Sequence, residues 1–379
     1  MKTDIVVIGG YGHVGSQICR LLGAEHPGKV YAAGRNLQRA ESFSRSTGGQ
    51  VKPLRLAAEE PLSQQLLERT KLVVMCLDQQ DTRLAAACLQ SGTHYVDVSA
   101  SGEFLQQVQL LAPVKNHLRA AAVLSVGLAP GLTNLLAAKA VQELDRAELI
   151  DISIMLGLGD SHGQAALEWT VDQLGSAFEI TEHGKLRNVS SFRDGKSTEF
   201  GFSLRKRTAY RFPFSDQQTL PATLNVPSIS TRLCFDSRTA TAAVALLRSL
   251  GLPALLRIKA FRNLAVKAFG KFRIGSEQYA VKVDAYGTQA GSPVQIEYGI
   301  EGVHEAAVTA VTAAGVALHI YNAPPEPGVY HIEQLFSLQS DGQRLLLAAS
   351  DKGQPGSSKA YPLEGLRFWT RTGSGSSSE

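Results

Sequence analysis

Residues 4–15 read DIVVIGGYGHVG and contain the pattern that decides the fold. A short run of β-branched residues precedes the glycines, and residues 17–22 have the apolar spacing of a helix. A GxGxxG pattern between a strand and a helix is typical of the turn that receives the pyrophosphate of a dinucleotide. The sequence therefore predicts a Rossmann domain at this end of the chain.

Each glycine of the pattern has a physical role. Gly10 permits the tight turn, Gly12 lets backbone N–H groups approach the pyrophosphate, and Gly15 lets the helix lie close to the sheet. The alternative is a glycine-rich turn that holds no ligand. The predicted pyrophosphate-binding residues are Gly10, Tyr11, Gly12, His13, Val14 and Gly15, with Tyr11 and His13 acting as spacers.

The end of the second predicted strand indicates which dinucleotide binds. An NAD-specific fold places Asp or Glu there to accept from the ribose 2′-hydroxyl, whereas this chain has Gly34, Arg35 and Asn36, with Arg39 one turn later. A guanidinium group attracts a 2′-phosphate. We therefore predict NADP(H) as the cofactor, with Arg35, Asn36 and Arg39 near its phosphate; a surface arginine without this role is the alternative.

Strand and helix patterns alternate over about 125 residues, which predicts an α/β fold with a doubly wound parallel sheet. The fourth strand ends at Cys76 and Leu77, where such a sheet opens its ligand crevice, and we assign their backbone to the cofactor. Nothing near Cys76 in the sequence predicts a lowered thiol pKa. We place this domain at residues 1–127.

The regular alternation of strand and helix patterns ends after Gly127, and an α+β mixed-sheet domain is predicted for residues 128–321. A helix is expected from Gly131 to Leu144. Alternation in residues 281–286 and 294–298 predicts a hairpin with its turn at Gly287–Ser292. Residues 371–379 have the composition of a flexible tail.

Composition narrows the class of protein. The 379 residues are 44% hydrophobic and 19% charged with a formal charge of +4, which is ordinary for a globular chain and demands no nucleic acid. The four cysteines form no CxxC pair, so we expect no metal site and no disulfide. We find neither a signal peptide pattern nor an apolar run of about 18 residues. We expect a cytoplasmic protein with a small-molecule substrate and no membrane partner.

Four segments occur in the order seen in a known family: VIGGYGHVG, AAGRN, SGTHYVDVSASGEF and VGLAPGLTNLLA. Over residues 1–140 the chain resembles the saccharopine dehydrogenase-like family, which includes saccharopine reductase and carboxynorspermidine dehydrogenase. The later segments DSHGQAALEWT, NVPSISTR and PPEPGVYHIEQLF look like those of its shorter bacterial members.

The resemblance implies an NADP-dependent enzyme that makes or breaks a secondary amine, with an amine or an amino or keto acid as substrate. It implies a substrate and dimerisation domain, a homodimer, and a segment 322–370 that returns to pack on the Rossmann domain. By the family pattern, Asp97 ends a strand beside the nicotinamide and Asn134 lies at the substrate crevice. The extra length of the larger eukaryotic reductases is missing, so a saccharopine-sized substrate is not implied.

Two residues are candidates for catalysis. His162 lies in a glycine-rich loop, and the ordinary pKa of imidazole suits acid–base work; the alternative is that His162 caps the helix that starts near Gln164. Asp97 is a candidate to anchor a substrate amine or stabilise an iminium, and the alternative is a strand-end carboxylate bound to backbone N–H groups. Arg232 is a candidate to bind a substrate carboxylate, and its alternative is a surface charge.

The stretch 257–273 interleaves basic and apolar residues. A helix with one apolar and one basic face can bind an anionic membrane or nucleic acid, but a solvated face or a lid is the commoner case. We therefore predict neither partner. Two other functions remain open: an NADPH-dependent reductase of C=C or C=O bonds in lipid or secondary metabolism, and a non-catalytic NADP-binding scaffold.

Overall fold

The structure is a computed structural model that describes residues 2–112, 118–201, 204–271, 275–341, 344–350 and 360–374. It divides into two compact units. The first comprises residues 1–132, 306–337 and 347–361, and the second comprises residues 133–305, 338–346 and 362–379. The first segment of unit one therefore ends at residue 132, five residues after the predicted end of the Rossmann domain at residue 127. Residues 322–370 are divided between the two units.

A seven-stranded sheet forms the centre of the first unit, in the order β15-β6-β5-β4-β1-β2-β3. All of its strand pairs are parallel. With elements numbered in chain order, its strands are β1 Asp4–Ile8, β2 Val30–Gly34, β3 Val51–Arg55, β4 Thr70–Met75, β5 His94–Asp97, β6 Ala121–Leu124 and β15 Gly328–His331. Because the order reverses between β1 and β4, this is the predicted doubly wound α/β fold, which is confirmed.

Helices connect the strands of the first unit. They are α1 Gly15–Glu25, α2 Leu37–Ser46, α3 Gln64–Arg69, α4 Arg83–Ser91, α5 Gly102–Gln109, α11 Glu305–Asn322 and α12 Ile332–Leu335. Strands β1 and β4 are buried at four consecutive positions each, which means that both faces of the sheet are covered. This explains why these strands show continuous apolar runs rather than alternation.

The second unit contains a mixed seven-stranded sheet in the order β10-β11-β12-β7-β13-β14-β19. Its strands are β7 Arg146–Leu156, β10 Lys196–Glu199, β11 Lys206–Arg211, β12 Ile229–Phe235, β13 Gln278–Gln289, β14 Ser292–Val303 and β19 Arg367–Ser374. The central strand β7 pairs in parallel with β12 and antiparallel with β13. The predicted mixed-sheet class is confirmed.

Helices and smaller sheets complete the description. The helices of the second unit are α6 Thr133–Val141, α7 Gln164–Gln173, α8 Asp216–Leu224, α9 Arg238–Ser249, a 3₁₀ helix Leu252–Arg257 and α10 Lys259–Lys271. A hairpin is formed by β8 Ala177–Glu182 and β9 Lys185–Ser190, and a three-stranded sheet by β16 Phe336–Asp341, β17 Arg344–Ala349 and β18 Tyr361–Pro362. No helix among the described residues has the length and hydropathy to cross a bilayer.

Three element boundaries differ from the prediction. Helix α6 begins at Thr133 rather than Gly131, because Gly131 has a φ of 139°, which is incompatible with a helix. The hairpin of β13 and β14 turns at Ala290 and Gly291, both with positive φ, so its turn is the short two-residue kind. Residues 371–374 form the end of β19 and pair with β14, whereas residues 375–379 lie outside the described part.

Candidate cofactor site and neighbouring polar clusters

The glycine turn follows β1 directly. The N–H groups of Gly9 and Gly10 both donate to the carbonyl of Ala33, at 2.9 and 3.1 Å. A Cβ on Gly10 would lie 2.6 Å from the carbonyl oxygen of Val7, and a Cβ on Gly15 would lie 2.3 Å from that of Gly9. Only glycine fits at both positions, because the backbone itself occupies the space of a side chain.

Helix α1 begins at Gly15 with Val14 as its N-cap, and no side chain of the described residues caps it. The first N–H groups of a helix have no partner within the helix and carry partial positive charge. A helix start without a side-chain cap is therefore open to an anion such as pyrophosphate. His13 directs its carbonyl to Ser16 and Gln17 of the same turn, consistent with a spacer role.

Tyr11 does more than separate two glycines. Its hydroxyl accepts a hydrogen bond from the backbone N–H of Asn36 at 2.9 Å, and a Cβ on Gly34 would lie 2.4 Å from the same hydroxyl oxygen. The guanidinium carbon of Arg39 lies 5.1 Å from the centroid of the Tyr11 ring, within cation–π distance. Tyr11 thus connects the glycine turn to the end of β2.

The residues predicted to hold the 2′-phosphate divide into two kinds. The Asn36 side chain caps α2 by accepting from the N–H of Arg39 at 3.0 Å, so its role is to shape the turn. Arg35 is exposed and forms no ion pair within the described residues, and Arg39 is also exposed. The two guanidinium groups therefore remain available to an anion at the end of β2.

At the end of β4, the N–H of Cys76 donates to the carbonyl of Ile8 at 3.0 Å, which joins β4 to the glycine turn. The Leu77 side chain lies against Gly9, since a Cβ on that glycine would be 2.9 Å from Leu77 Cγ. Burial raises the pKa of the Cys76 thiol, with a smaller contribution from Asp97. Cys76 is therefore a neutral thiol, and its part in the site is structural.

A buried polar network follows β4 and β5. Asp97 is fully buried; its Oδ2 accepts from the Tyr95 hydroxyl at 2.5 Å and its Oδ1 accepts from the N–H of Ser99 at 2.7 Å. The Gln79 amide nitrogen donates to the Tyr95 hydroxyl at 2.6 Å and lies 3.3 Å from Asp97 Oδ2. Burial raises the pKa of Asp97, while the bonds from Ser99 and Tyr95 lower it. The predicted catalytic carboxylate is thus enclosed by internal partners.

Two atoms beside this network are buried and have no hydrogen-bond partner among the described residues: Oε1 of Gln79 and Oγ of Ser99. Buried polar atoms are normally paired, so such orphans indicate a missing ligand. In a doubly wound sheet the dinucleotide lies outside the carboxyl ends of the strands next to the β1–β4 reversal. A nicotinamide carboxamide carries both a donor and an acceptor, which fits a free amide oxygen beside a hydroxyl.

A second buried pair lies at the ends of β6 and β15. Ser125, which has a positive φ of 58°, has its Oγ 2.7 Å from Nδ1 of His331. His331 is fully buried, and burial lowers its pKa to about 4, so its ring is neutral near pH 7. This contact fixes β15 at the edge of the sheet.

In the second unit, His162 forms an ion pair. Its Nδ1 lies 2.6 Å from Glu305 Oε1 and its Nε2 lies 3.1 Å from the carbonyl oxygen of Gly157. Both partners only accept, so both ring nitrogens must donate and the ring is an imidazolium. Burial lowers the pKa of His162, but the hydrogen bond and charge of Glu305 outweigh it and the pKa is raised. His162 does not cap α7, whose N-cap is Gly163.

The two residues predicted to bind substrate are buried in the second unit. Asn134 is fully buried in α6. Arg232 is 6% exposed and donates to Asp151 Oδ1 at 2.8 Å and to Ser230 Oγ at 2.7 Å, with Asp194 Oδ2 at 3.4 Å. The buried carboxylate of Asp151 and the exposed carboxylate of Asp194 already neutralise this guanidinium, and Arg232 is not the surface charge that was the alternative.

Other arginines face an open space in the same unit. A cavity of about 390 Å³ is lined by Lys206, Arg207 and Arg238 together with Ser197, Thr208, Tyr210 and Thr241. Within the part of the chain that the structure describes, the lining contains no carboxylate, and Nε of Arg207 is buried without a hydrogen-bond partner. This cavity is better suited than the surroundings of Arg232 to receive a carboxylate.

Sequence reasoning missed Gln79, Ser99 and Glu305. Gln79 follows β4 by four residues and Ser99 follows β5 by two, so both were within reach of the rule that ligands meet the carboxyl ends of strands. No local signal joins His162 to Glu305, which is 143 residues away. Among the described residues, no cluster of three or more His, Cys, Asp or Glu side chains is arranged to hold a metal ion.

Comparisons agree with the fold and the glycine turn. Residues 5–129 match the family described as the saccharopine dehydrogenase NADP binding domain. Apo saccharopine dehydrogenase (L-Glu forming) from Saccharomyces cerevisiae has a similar structure, with a TM-score of 0.61 and 14% identity over 87% of this chain and 94% of that chain. The C. glutamicum DAP dehydrogenase in complex with DAP gives a TM-score of 0.44 and 11% identity over 88% of this chain and 94% of that chain.

A search of curated protein sequences finds no match. The structural similarity to the S. cerevisiae enzyme supports the fold at 14% identity, and the match to the NADP binding domain supports the cofactor. The predicted cofactor and the resemblance stated from the four sequence segments are both confirmed. Residues 5–129 are therefore similar to the saccharopine dehydrogenase NADP binding domain and form an NADP-binding domain, and the chain shares the fold of the S. cerevisiae enzyme.

Proposed function

We propose that this protein is an NADP-dependent oxidoreductase that transfers hydride to or from a C–N bond of an amino-acid-derived imine or secondary amine. The observation that carries the proposal is the glycine turn, continued by Tyr11 to the exposed guanidinium groups of Arg35 and Arg39. The four segments shared with the saccharopine dehydrogenase-like family support the C–N bond. Bound NADPH supplies the hydride, and the protein must bind, orient and protonate the substrate.

The turn of Gly10–Gly15 would hold the pyrophosphate, and Arg35 and Arg39 the 2′-phosphate. Gln79 and Ser99 would hold the carboxamide through their unpartnered oxygens. Asp97 then acts by positioning Tyr95 and Gln79 rather than by touching the substrate. Cys76 and Leu77 support the glycine turn from β4.

Reduction of an imine consumes one hydride and one proton. His162 is the proposed proton donor, because its ring is held as an imidazolium by Glu305. Its bond to the Gly157 carbonyl is the longer of the two, at 3.1 Å, so the Nε2 proton is the one to be given up. The ring is neutral after this transfer and keeps its Nδ1 proton on Glu305, which would then stabilise the imidazolium that forms when solvent returns a proton to Nε2.

Consumption of NADPH with pairs of amines and keto acids or aldehydes tests the reaction. His162→Gln should lower kcat by about 10²-fold or more, the usual value of general acid catalysis, with unchanged NADPH affinity. His183→Asn changes an exposed histidine of the same unit and should have no effect. Binding of NADPH without turnover on any pair would contradict the proposal and favour the non-catalytic scaffold.

One observation favours a second candidate, a reductase of C=C or C=O bonds. Asp97 and Arg232, the charged residues proposed for an amine and a carboxylate, are both occupied by internal partners. An uncharged substrate needs neither a free carboxylate nor a free guanidinium group in the site. Turnover of enones or ketones but not of imines would establish this candidate. The homodimer and the cytoplasmic location implied earlier remain proposals, which light scattering and cell fractionation test.

A further inference from the structure

The segment from the end of α9 through α10 exposes eight large apolar side chains within 19 residues. We call them the 246–264 surface: Leu246, Leu247, Leu250, Leu252, Leu255, Ile258, Phe261 and Leu264, whose exposed fractions range from 39% to 66%. Scattered exposed leucines are ordinary, but a contiguous apolar group on a folded chain indicates an interaction site.

The opposite side of α10 is anchored to the protein. Val266 is buried against Leu167 and Val171 of α7, and Arg262 donates to Asp172 at 2.5 and 2.7 Å. Because these contacts fix the inner face, Phe261 and Leu264 are held outward, at 47% and 63% exposure. The sequence favoured a solvated helix face here; the outward face proves to be apolar.

Charge indicates what covers this surface. Residues 237–276 contain eight basic residues and no Asp or Glu: Arg238, Arg248, Arg257, Lys259, Arg262, Lys267, Lys271 and Arg273. Since the whole chain carries only +4, the rest of it is net negative. Arg257, Lys259 and Lys267 form no ion pair within the described residues. Positive charge is thus concentrated where the apolar side chains are exposed.

We propose that the 246–264 surface binds the surface of an anionic lipid bilayer, with its leucines and Phe261 at the acyl boundary and the neighbouring cations at the headgroups. Outward Leu and Phe side chains flanked by Lys and Arg are the composition of interfacial helices. Anionic headgroups attract such cations electrostatically.

A second copy of the chain fits this surface less well. A twofold dimer places the same patch on both partners, so it would bring two acid-free basic segments together. Like charges across an interface oppose association. A lipid surface supplies the opposite charge and an apolar layer at once.

Flotation of the full chain with vesicles tests the proposal. We expect binding to phosphatidylglycerol–phosphatidylcholine vesicles and about tenfold weaker binding to pure phosphatidylcholine. Phe261→Ser with Leu264→Ser, and separately Lys259→Glu with Lys267→Glu, should each lower binding about tenfold. Leu110→Ser with Leu186→Ser is the matched control, because these side chains are 72% and 71% exposed elsewhere in the chain, and it should bind as the unmodified protein does.

NADPH affinity, measured on every variant, shows that the chain is folded. Equal binding to both kinds of vesicle, or equal loss in the control, would overturn the proposal. So would a concentration-dependent dimer in light scattering that Phe261→Ser with Leu264→Ser converts to monomer, since a second copy would then cover the surface.

Discussion

The Tyr95 hydroxyl donates to the buried carboxylate of Asp97 at 2.5 Å, and this bond sets the direction of the next one. Because the Tyr95 proton is used, its oxygen can only accept, and Gln79 must approach with its amide nitrogen. The Gln79 oxygen is then left as a buried acceptor. The buried acidic residue Asp97, which makes only internal hydrogen bonds, thus determines which atom of Gln79 the site presents.

Gln79→Ala should weaken NADP⁺ binding about three- to tenfold, the value of one neutral hydrogen bond. The affinity of this variant for 2′-phospho-ADP-ribose, which lacks the nicotinamide, should equal that of the unmodified protein. Titration of both ligands by calorimetry checks this, with the exposed neighbour changed in Gln80→Ala as control. Equal losses for both ligands would mean that Gln79 supports the whole site rather than the carboxamide.

Replacement of Tyr11 should act at the 2′-phosphate. Tyr11→Phe removes the acceptor of the Asn36 N–H, and Tyr11→Ala also removes the ring beneath Arg39. We expect NADPH affinity to fall about threefold and about tenfold, respectively, with little change for NADH, because NADH lacks the phosphate. A parallel decrease for NADH would show that Tyr11 supports the pyrophosphate turn instead.

Arg39→Gln and Arg35→Gln should each weaken NADPH binding about tenfold, a discounted value because both side chains are exposed. The loss should decrease at high salt, since screening weakens the attraction that is removed. Fluorescence titration at two ionic strengths measures it. Arg45→Gln, on the last turn of α2, is the matched control.

The ion pair of His162 and Glu305 should make stability depend on pH in a defined direction. The pKa of His162 is raised in the folded chain, so its contribution is complete below its unfolded pKa and is lost as pH rises through the folded value. Glu305→Gln should therefore cost most at low pH, about 1 kcal/mol, and least at high pH. Urea unfolding across this range checks it; a cost that grows with pH would contradict it.

His331 should make the folded chain less stable as the pH falls, which is opposite to the effect of His162. Burial lowers its pKa to about 4 in the folded chain. As the pH decreases from about 6.5 toward 4, this histidine therefore binds a proton in the unfolded chain but not in the folded chain, and stability falls. The loss amounts to at most about 3 kcal/mol at 1.36 kcal/mol per pKa unit. His331→Gln, which retains a group able to contact Ser125, should remove this part of the acid sensitivity in thermal unfolding.

The structure adds contacts to several predicted site residues that the sequence did not indicate. Tyr11 was assigned to the cofactor turn as a spacer, yet its hydroxyl and ring organise the end of β2. Asp97 and Arg232 were selected for ligand roles, but each has a partner within the fold: Tyr95 on the same strand as Asp97, and Asp151 on β7 beside Arg232. A sequence shows that a residue is charged, but it does not show which other residue lies next to it in the folded chain.

The sequence by itself determined the glycine turn, the parallel sheet and the NADP-binding class. These depend on local properties, such as the missing Cβ of Gly10 and Gly15 and the apolar runs of β1 and β4. Only the tertiary structure decided which polar atoms are satisfied and which remain open: Gln79 beside Tyr95, and His162 beside Glu305. Strand register and packing set these distances, and they join residues up to 143 positions apart in the chain.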